Sequence, residues 1–259
     1  MGKTLFGLVG PVLVAGSFLI DAGPFGPTRV RLEDGRTLRI PAETHAFYRM
    51  LTQEGRLHGK QGRPPTAFEV EAGIRLRRRH EALWTARFGQ RPRTPEAAYV
   101  FPVVGGWLPA RSGYTPGHRA EDLFAPPGSQ VVAPATMLIV HAGYLSKTAG
   151  EAVVGFVPPA PAQPRARYLV LVHLDASPAK AKVGEVVEAG TVVGFIAAGD
   201  EALVGNALGR PPHLHFVIRE EGPDGRLAGV PVWDLLQQAL QRARHQAAGS
   251  AAGSGQGRP

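Results

Sequence analysis

The residues most capable of chemistry in this chain are four histidines and one aspartate in three short motifs. His118 and Asp122 are four positions apart, His173 follows an apolar run, and His213 and His215 flank a single leucine. Two imidazoles and one carboxylate form a zinc site with an open fourth position, and two further imidazoles remain for proton transfer. The three motifs together therefore predict the metal site of a hydrolase.

Each motif is a weak signal by itself, and the prediction rests on their combination. Side chains two positions apart on a strand point to the same face, so His213 and His215 are expected to aim at one place. Two imidazoles buried side by side on a core strand are costly unless something binds them. A divalent metal does so, and a carboxylate ligand such as Asp122 lowers the net charge of the site.

The composition limits which kind of metal site is possible. The 259 residues include no cysteine, so no disulfide and no thiolate ligand exists, and any metal must be held by histidine and carboxylate. A chain of this length forms one large domain or two small ones. The 33 glycines and 24 prolines favour many turns and short strands over long helices.

The positive charge is concentrated away from the motifs. Residues 23–98 carry 15 Lys and Arg against 8 Asp and Glu, a net charge of +7, whereas residues 99–236 carry 10 against 12, a net charge of −2. Two interpretations remain open for the basic region. It binds an anionic partner such as phospholipid, wall polymer or nucleic acid, or it is a well-solvated surface.

The first residues contain an apolar run that follows Lys3. Residues 5–20 would span roughly 24 Å as a helix, which is short of a hydrocarbon core of about 30 Å. This length and the leading positive charge favour an export signal or a short membrane anchor over residues 1–22. The alternative is a buried strand or hairpin that turns at Gly10 and Pro11.

The basic region is expected to be a small α+β unit. Residues 29–40 alternate apolar and charged side chains around a central Asp-Gly pair, which predicts a hairpin. Residues 44–54 read as a helix, and Thr66 is expected to cap a second helix that runs to Phe88. Residues 91–95 read as a linker.

Two groups of side chains in this region are expected to be solvent-exposed. The second helix carries a cluster of arginines, which usually forms a solvated face and less often a docking patch. The members of this cluster are Arg75, Arg77, Arg78 and Arg79. The three histidines without ligand-like spacing are interpreted as ordinary surface residues, and they are His45, His58 and His80.

From Tyr99 onward the sequence predicts a sheet-rich domain. Short apolar runs are separated by Gly and Pro, and none has a helical period. The runs cover residues 99–104, 131–133, 137–140, 168–172, 192–196 and 214–218. Residues 128–133 and 184–189 share a Gly-x-x-Val-x-Ala pattern, which indicates a duplicated β half-motif. A helix is expected from Pro231 to about Arg244, and the tail from Gln246 onward is expected to be disordered.

Residues 99–236 resemble the catalytic domain of the lysostaphin-type (LytM-type) zinc metallopeptidases, which cut peptide bonds in peptidoglycan. The resemblance rests on the three motifs and on flanking segments at residues 101–103, 123–128, 183–190 and 230–235. It implies a mostly β fold, with an antiparallel β-sheet metallopeptidase domain of duplicated hybrid β-motif. The small α+β region read from the sequence precedes this domain and lies outside the resemblance. The resemblance also implies that His118, Asp122 and His215 bind one zinc ion with a water in the fourth position. His173 and His213 would then be the catalytic pair, with one acting on the water and the other on the oxyanion or leaving amine.

The sequence features and the resemblance together lead us to expect an organisation and a set of partners. We expect a signal or anchor at residues 1–22, the basic region at 23–98, the peptidase domain at 99–236, and a helix end with a tail at 237–259. The substrate would be a peptidoglycan peptide, and the protein would be exported to the periplasm or cell envelope. Membrane contact would occur through the N-terminal apolar run, and no nucleic-acid partner is expected. Neither the bond cleaved nor the oligomeric state follows from the sequence.

The sequence departs from the family pattern at three places. Ala120 and Glu121 replace the usual glycine and aliphatic residue before Asp122, and Glu121 is expected to point away from the site by strand alternation. Leu171 occupies a position that is often tyrosine, which removes a possible oxyanion contact. The proline-rich stretch Pro158 to Arg167 is interpreted as a lid beside the groove.

Two functions other than a hydrolase are compatible with parts of this sequence. The first is a zinc-binding, non-catalytic regulator of other cell-wall hydrolases, in which the basic region docks on a partner. The second is a biotinyl- or lipoyl-type carrier barrel, which shares the glycine-valine turn pattern. The carrier would need an attachment hairpin that the chain lacks, and it would leave the five site residues without a role.

Overall fold

The computed structural model describes residues 28–31, 37–40, 67–88, 99–104, 111–113, 118–161, 163–179, 181–223 and 226–242. The first eight strands are β1 (Thr28–Arg31), β2 (Thr37–Ile40), β3 (Val103–Val104), β4 (Arg111–Ser112), β5 (Glu121–Phe124), β6 (Gln130–Val132), β7 (Met137–Ser146) and β8 (Gly150–Val157). The remaining strands are β9 (Arg167–Val172), β10 (Leu174–Asp175), β11 (Val186–Val187), β12 (Val192–Ile196), β13 (His213–Glu221) and β14 (Leu227–Val230). The helices are α1 (Ala67–Phe88), α2 (Glu201–Val204) and α3 over residues 233–242, with short 3-10 turns at Ser177–Ala179 and Gly205–Ala207.

The strands form three sheets in which every described pairing is antiparallel. The large sheet has the strand order β11-β7-β8-β9-β13-β5-β4, and β14 pairs with the C-terminal half of β13. A smaller sheet has the order β10-β12-β6-β3, and β1 pairs with β2 by itself. The chain passes from the large sheet to the smaller one between β9 and β10, which are separated by a single residue, His173.

The main apolar core lies between the large and the smaller sheet. Leu169 and Leu171 of β9 contribute to it from one side, and Val193 and Ile196 of β12 contribute from the other. The alternate residues of β9 point to the opposite face of the large sheet, as the two-residue period of a strand requires. β9 is therefore buried on both faces, which explains why its sequence reads as a continuous apolar run rather than an alternating one.

A second apolar layer covers the opposite face of the large sheet and includes α1. Trp84 is buried there among side chains of the large sheet. The Arg77 Nη2 atom donates a hydrogen bond to Glu221 Oε1 over 2.7 Å. His80 Nδ1 lies 2.8 Å from the Tyr168 hydroxyl, in hydrogen-bond contact. Because Glu221 is on β13 and Tyr168 is on β9, α1 crosses neighbouring strands of the sheet.

The interpretation of His80 as a surface residue is wrong. His80 is 6% exposed and Arg77 is 2% exposed, so Arg77 also departs from the expected solvated cluster. Both residues lie on the face of α1 that packs on the sheet, together with Trp84, because positions three and four apart share one helix face. Arg75 and Arg78 lie on other faces and are exposed, as a solvated cluster requires.

The fold class expected from the sequence is confirmed, since the described chain is mostly antiparallel β-sheet. The predicted hairpin corresponds to β1 and β2, and the predicted second helix corresponds to α1. All six predicted apolar runs contain strand residues, but β8 and β5 lie outside these runs. The closing helix begins at residue 233, two positions later than expected.

Several other expectations fall outside the described residues. The segments are the apolar run at residues 5–20, the helix at 44–54, the linker at 91–95 and the tail from residue 246. The single residues are His45 and His58. The domain boundaries at residues 22, 98 and 236 stay predictions. Among the described helices, none has the length and apolar character needed to cross a membrane.

The proline-rich stretch before β9 is not beside the groove, and this expectation is wrong. Val157 at the end of β8 pairs with Arg167 at the start of β9, so the stretch connects the ends of these strands. The histidine at position 215 pairs with Val172, at the other end of β9. Arg167 and Val172 are five positions apart along the strand, a distance of roughly 16 Å. Long-range strand pairing sets this distance.

Candidate metal centre

The site residues are brought together by the register of β13 between its two neighbours. His215 on β13 lies directly opposite Asp122 on β5. On its other side His215 lies opposite Val172 of β9, the residue immediately before His173. Directly paired residues of antiparallel strands present their side chains on the same face. One pairing register therefore places a histidine and a carboxylate from distant parts of the chain side by side.

Three of the predicted residues offer converging ligand atoms. Each of His118, Asp122 and His215 has a ligand atom within 4.8 Å of those of the other two. His215 Nδ1 lies 2.7 Å from Asp122 Oδ1, and His118 Nε2 lies 3.1 Å from Asp122 Oδ1. Ligand atoms on a tetrahedral zinc ion are ~3.4 Å apart, given bonds of about 2.1 Å. The types of ligand atom therefore fit a zinc ion. Their spacing fits as well once the distances between the ligand atoms lengthen to ~3.4 Å.

The electrostatics keep Asp122 and His215 in the forms that bind a metal. Burial alone would raise the pKa of Asp122, but the hydrogen bond and charge of His215 outweigh it, and the pKa is lowered. Burial lowers the pKa of His215 and outweighs the opposing effect of Asp122. A carboxylate and a neutral imidazole are the species that coordinate zinc, so both shifts favour metal binding at neutral pH.

The ring of His118 is oriented by a backbone carbonyl. His118 Nδ1 lies 3.3 Å from the Gly113 oxygen, and because a carbonyl only accepts, the nitrogen must donate. The other ring nitrogen, Nε2, then faces Asp122. A metal-bound histidine usually donates its second ring nitrogen to such an acceptor, which fixes the tautomer.

His173 and His213 lie next to the ligand group and next to each other. Their ring centroids are 5.0 Å apart, and the ring of His173 lies 5.5 Å from that of His215. His213 Nδ1 lies 2.8 Å from the Pro211 carbonyl oxygen, and His213 Nε2 lies 3.8 Å from Asp122 Oδ1. The Pro211 contact requires an Nδ1–H donor, so His213 directs its second ring nitrogen, Nε2, towards the site.

His173 has the same tautomer for a similar reason. Its Nδ1 lies 3.0 Å from the Ala149 carbonyl oxygen, so Nδ1 carries the proton. Burial, followed by the charges of His215 and His213, lowers the pKa of His173 to about 3, and the ring is neutral at neutral pH. Both non-ligand histidines are therefore held with one nitrogen on a backbone carbonyl and the other available for proton transfer.

The backbone of His173 is unusual among the described residues. His173 has a φ of 65°, and it is the only described residue other than glycine with a positive φ. Such a conformation costs of order 1–3 kcal/mol and is found at sites where the surroundings impose it. Here it occurs where the chain leaves the large sheet for the smaller one. The turn in the chain thus places this imidazole at the edge of the ligand group.

The departures from the family pattern are accommodated away from the ligands. Glu121 is 1% exposed and pairs with Phe216, a residue of the main core, so it faces away from the site as expected. Leu171 is fully buried in the same core and makes no contact on the site face. The change from tyrosine to leucine at position 171 is therefore a change in the core.

Sequence reasoning named all five side chains but missed the groups that orient them. These groups are the carbonyl oxygens of Gly113, Ala149 and Pro211, which accept from His118, His173 and His213. Every residue carries a carbonyl, so no residue type could have signalled them. Their position depends on the folded backbone alone.

The site and helix α1 share one face of the large sheet. Val172, opposite His215, belongs to the apolar layer that also contains Tyr168 and Trp84. Tyr168 is four residues before Val172 on β9, which corresponds to roughly 13 Å along the strand. Helix α1 therefore lies along the site face at the end remote from the ligands.

A family model matches part of the chain. Residues 116–226, which contain all five site residues and the strands β5 to β13, match the model of peptidase family M23. No curated protein sequence matches the chain.

Solved structures with a similar fold are related to the chain only distantly. The catalytic domain of the antimicrobial peptidase lysostaphin from Staphylococcus simulans is 22% identical, with a TM-score of 0.36, over 53% of this chain and 92% of that one. A second lysostaphin structure is 21% identical, with a TM-score of 0.35, and the match spans 54% of this chain but only 50% of that one. A putative glycyl-glycine endopeptidase lytM from Ruminococcus gnavus is 18% identical, with a TM-score of 0.43, over 76% of this chain and 81% of that one.

The family match and the site geometry agree on the same residues. The matched segment contains His118, Asp122, His173, His213 and His215, which the fold brings into one cluster. Residues 116–226 are therefore similar to peptidase family M23 and contain the whole cluster.

Proposed function

We propose that this protein is a zinc metalloendopeptidase that hydrolyses peptide bonds in peptidoglycan. The observation that carries the proposal is the convergence of three ligand atoms from His118, Asp122 and His215 beside two further imidazoles. A structural zinc site uses four protein ligands, whereas three ligands leave a position for water or substrate. The arrangement therefore supports a catalytic site, and the resemblance to LytM-type enzymes supports peptidoglycan as substrate.

The three ligand residues would hold the ion through His118 Nε2, an Asp122 oxygen and His215 Nδ1, the atoms that face one another. When bound, zinc lowers the pKa of a water to about 7 and polarises a substrate carbonyl. Asp122 contributes negative charge to the site, because its lowered pKa keeps it ionised. His118 is kept in the required tautomer by Gly113.

His173 and His213 would carry out the proton transfers. Each directs Nε2 at the site, because Nδ1 donates to a backbone carbonyl. One would accept a proton from the attacking water at Nε2. The other would act as an imidazolium, with a proton taken from solvent on Nε2, and would stabilise the developing oxyanion or pass that proton to the leaving amine. General acid–base catalysis of this type contributes about 10²- to 10⁴-fold to a rate.

The test combines metal analysis with digestion of purified sacculi. We expect about one zinc per chain and release of soluble wall peptides, and we expect His213→Ala to abolish release while retaining zinc. His80→Gln serves as the control, since His80 is also buried but contacts Tyr168 rather than the site. A protein that binds no zinc and leaves sacculi intact would contradict the proposal. A protein that binds zinc and leaves them intact would instead support the non-catalytic regulator.

Export is a separate part of the proposal. A peptidoglycan substrate lies outside the cytoplasmic membrane, and the apolar run at residues 5–20 after Lys3 is typical of an export signal or anchor. Fractionation of cells that express the full chain should place it in the envelope fraction. Deletion of residues 1–22 should leave it in the cytoplasm, and an unchanged distribution would contradict export by this segment.

A further inference from the structure

The turn between β7 and β8 approaches the segment after α2 more closely than side chains permit. Gly150 and Gly205 face each other there, with φ values of 69° and 53°. A Cβ on Gly150 would overlap the Leu203 carbonyl oxygen and would lie 2.6 Å from the Gly205 nitrogen. A Cβ on Gly205 would lie 2.5 Å from the Gly150 nitrogen. Both the conformation and the space therefore require glycine at these two positions.

The same turn is held by hydrogen bonds on both of its sides. The Asn206 N–H donates to the Thr148 carbonyl oxygen over 2.9 Å, which ties the turn to the segment after α2. The Ala149 N–H donates to Ser146 Oγ over 3.0 Å, which closes the turn on β7. The position of the Ala149 peptide is thus set by contacts within the turn and by the opposing backbone.

This turn supplies the acceptor that orients His173. The Ala149 carbonyl oxygen accepts from His173 Nδ1 over 3.0 Å, and the Glu151 carbonyl oxygen accepts from the His173 N–H over 3.1 Å. His213, in contrast, is oriented by Pro211, two residues before it in the same segment. The tautomer of His173 therefore depends on an acceptor in the β7–β8 hairpin, which is distant in sequence. The tautomer of His213 depends on an acceptor only two residues away.

We propose that Gly150 and Gly205 are positioning residues, whose backbone contact fixes the Ala149 carbonyl and thereby sets the tautomer and orientation of His173. Any side chain at either position forces the two backbones apart. The Ala149 oxygen then moves with the turn, and the His173 ring loses the acceptor that keeps the proton on Nδ1. The consequence for catalysis rests on the proposed function, in which His173 acts through Nε2.

The test uses Gly205→Ala in the full chain and reads the ring nitrogens of His173 by ¹⁵N NMR. The wild-type protein should show a single Nδ1–H tautomer in both metal-free and zinc-loaded forms, and the variant should show a mixture. Zinc content should stay at one per chain, because the ligands lie on other segments. The kcat on wall peptides should fall by about 10- to 100-fold, with KM changed by less than about 2-fold, since misplacement of a catalytic group lowers the rate of the chemical step.

Gly184→Ala is the matched control. Gly184 also has a positive φ, of 87°, but a Cβ there would meet no atom within 4 Å. The control thus carries the same backbone strain without the clash, and it should keep the wild-type tautomer and kcat. If Gly205→Ala does not fold, Ser146→Ala replaces it, because that variant removes the acceptor of the Ala149 N–H with a small change in volume.

A shifted tautomer in the folded variant, with the control unchanged, supports the proposal. A wild-type tautomer in folded Gly205→Ala, or in Ser146→Ala where that variant is needed, overturns it. The NMR readout in metal-free protein needs no activity. If the wild-type protein fails to digest sacculi, the proposed function is refuted. The role of the two glycines is then decided by the His173 tautomer alone.

Discussion

At the scale of single residues, the proposed ligand histidines differ from their neighbours in how close a ring nitrogen lies to Asp122. His215 Nδ1 and His118 Nε2 lie 2.7 and 3.1 Å from Asp122 Oδ1. His213 Nε2 lies farther away, at 3.8 Å, and His173 Nδ1 is held by the Ala149 carbonyl. A nitrogen at close range to the carboxylate is placed to share a metal with it. The two roles are thus distinguished by geometry among side chains of the same type.

Removal of a ligand should abolish metal binding. We expect His215→Ala to reduce zinc from about one per chain to near zero after dialysis, because two protein ligands remain where three are needed. His213→Ala should retain zinc, since His213 Nε2 is 3.8 Å from Asp122 and Nδ1 is on Pro211. Elemental analysis of both dialysed proteins measures this difference. Equal zinc contents would contradict the assignment of ligands.

Removal of a proton-transfer histidine should affect the rate and leave the metal in place. For His173→Ala and His213→Ala, kcat should fall by about 10²- to 10⁴-fold. The two variants should lose different limbs of the pH–rate profile if one histidine is the base and the other serves the oxyanion or the leaving group. Rates on soluble wall peptides from pH 5 to 9 provide the measurement. A variant with wild-type kcat would exclude its histidine from the reaction.

At the scale of elements, helix α1 belongs to the packed part of the molecule. Its buried face contacts β13 through Arg77 and β9 through His80, and Trp84 joins the apolar layer of the large sheet. The sequence of α1 conceals this, because two of the three buried residues in its described part, residues 74–86, are polar. The arginine and the histidine at these positions pair with Glu221 and Tyr168, partners that lie far away in sequence.

Truncation of the buried tryptophan should therefore destabilise the whole domain. We expect Trp84→Ala to lower the free energy of unfolding by about 3–5 kcal/mol, the usual cost of removing a large buried aromatic side chain. Leu83→Ala is the control on the same helix, because Leu83 is 38% exposed and its truncation should cost less than about 1 kcal/mol. Urea titrations followed by circular dichroism give both values. Similar values for the two variants would mean that α1 does not pack on the sheet in solution.

At the scale of the whole molecule, buried neutral histidines link stability to pH. Burial lowers the pKa of His80 to about 3, with a smaller contribution from Arg79, and burial lowers the pKa of His141 to about 4. In the unfolded chain both titrate near 6.5. Below that pH the unfolded chain binds protons that the folded protein does not bind. The stability contributed by both groups is therefore complete above pH 6.5 and is lost as the pH falls towards 4.

The free energy of unfolding of the metal-free protein should thus fall with pH between 6.5 and 4. Each of these histidines contributes a slope of about 1.4 kcal/mol per pH unit. The raised pKa of Glu151, which burial causes, has the opposite sign and offsets part of the fall at the acidic end. Denaturant titrations in chelator at pH 7.5, 6 and 5 measure the slope. His80→Gln should reduce the slope of the free energy of unfolding against pH by the contribution of one histidine. A slope that is unchanged in this variant would contradict the neutral, buried state of His80.

Much of the fold and the site was predictable because the signals were local. Strand alternation placed His213 and His215 on one face, and the four-residue spacing linked His118 to Asp122. The hairpin of β1 and β2 and the length of α1 followed from turn residues and helix-ending residues. Each of these inferences depends on neighbours within a few positions, where backbone geometry is fixed by the element itself.

The sequence by itself determined which side chains could bind a metal and transfer protons, and that the chain would form mostly antiparallel strands. Only the tertiary structure decided that β13 pairs His215 with Asp122 and Val172, and that His80 is buried rather than exposed. It also placed the proline-rich stretch remote from the site and gave His173 its positive φ and its Ala149 acceptor. The physical reason is that these features depend on pairings between segments tens of residues apart, which no local pattern encodes.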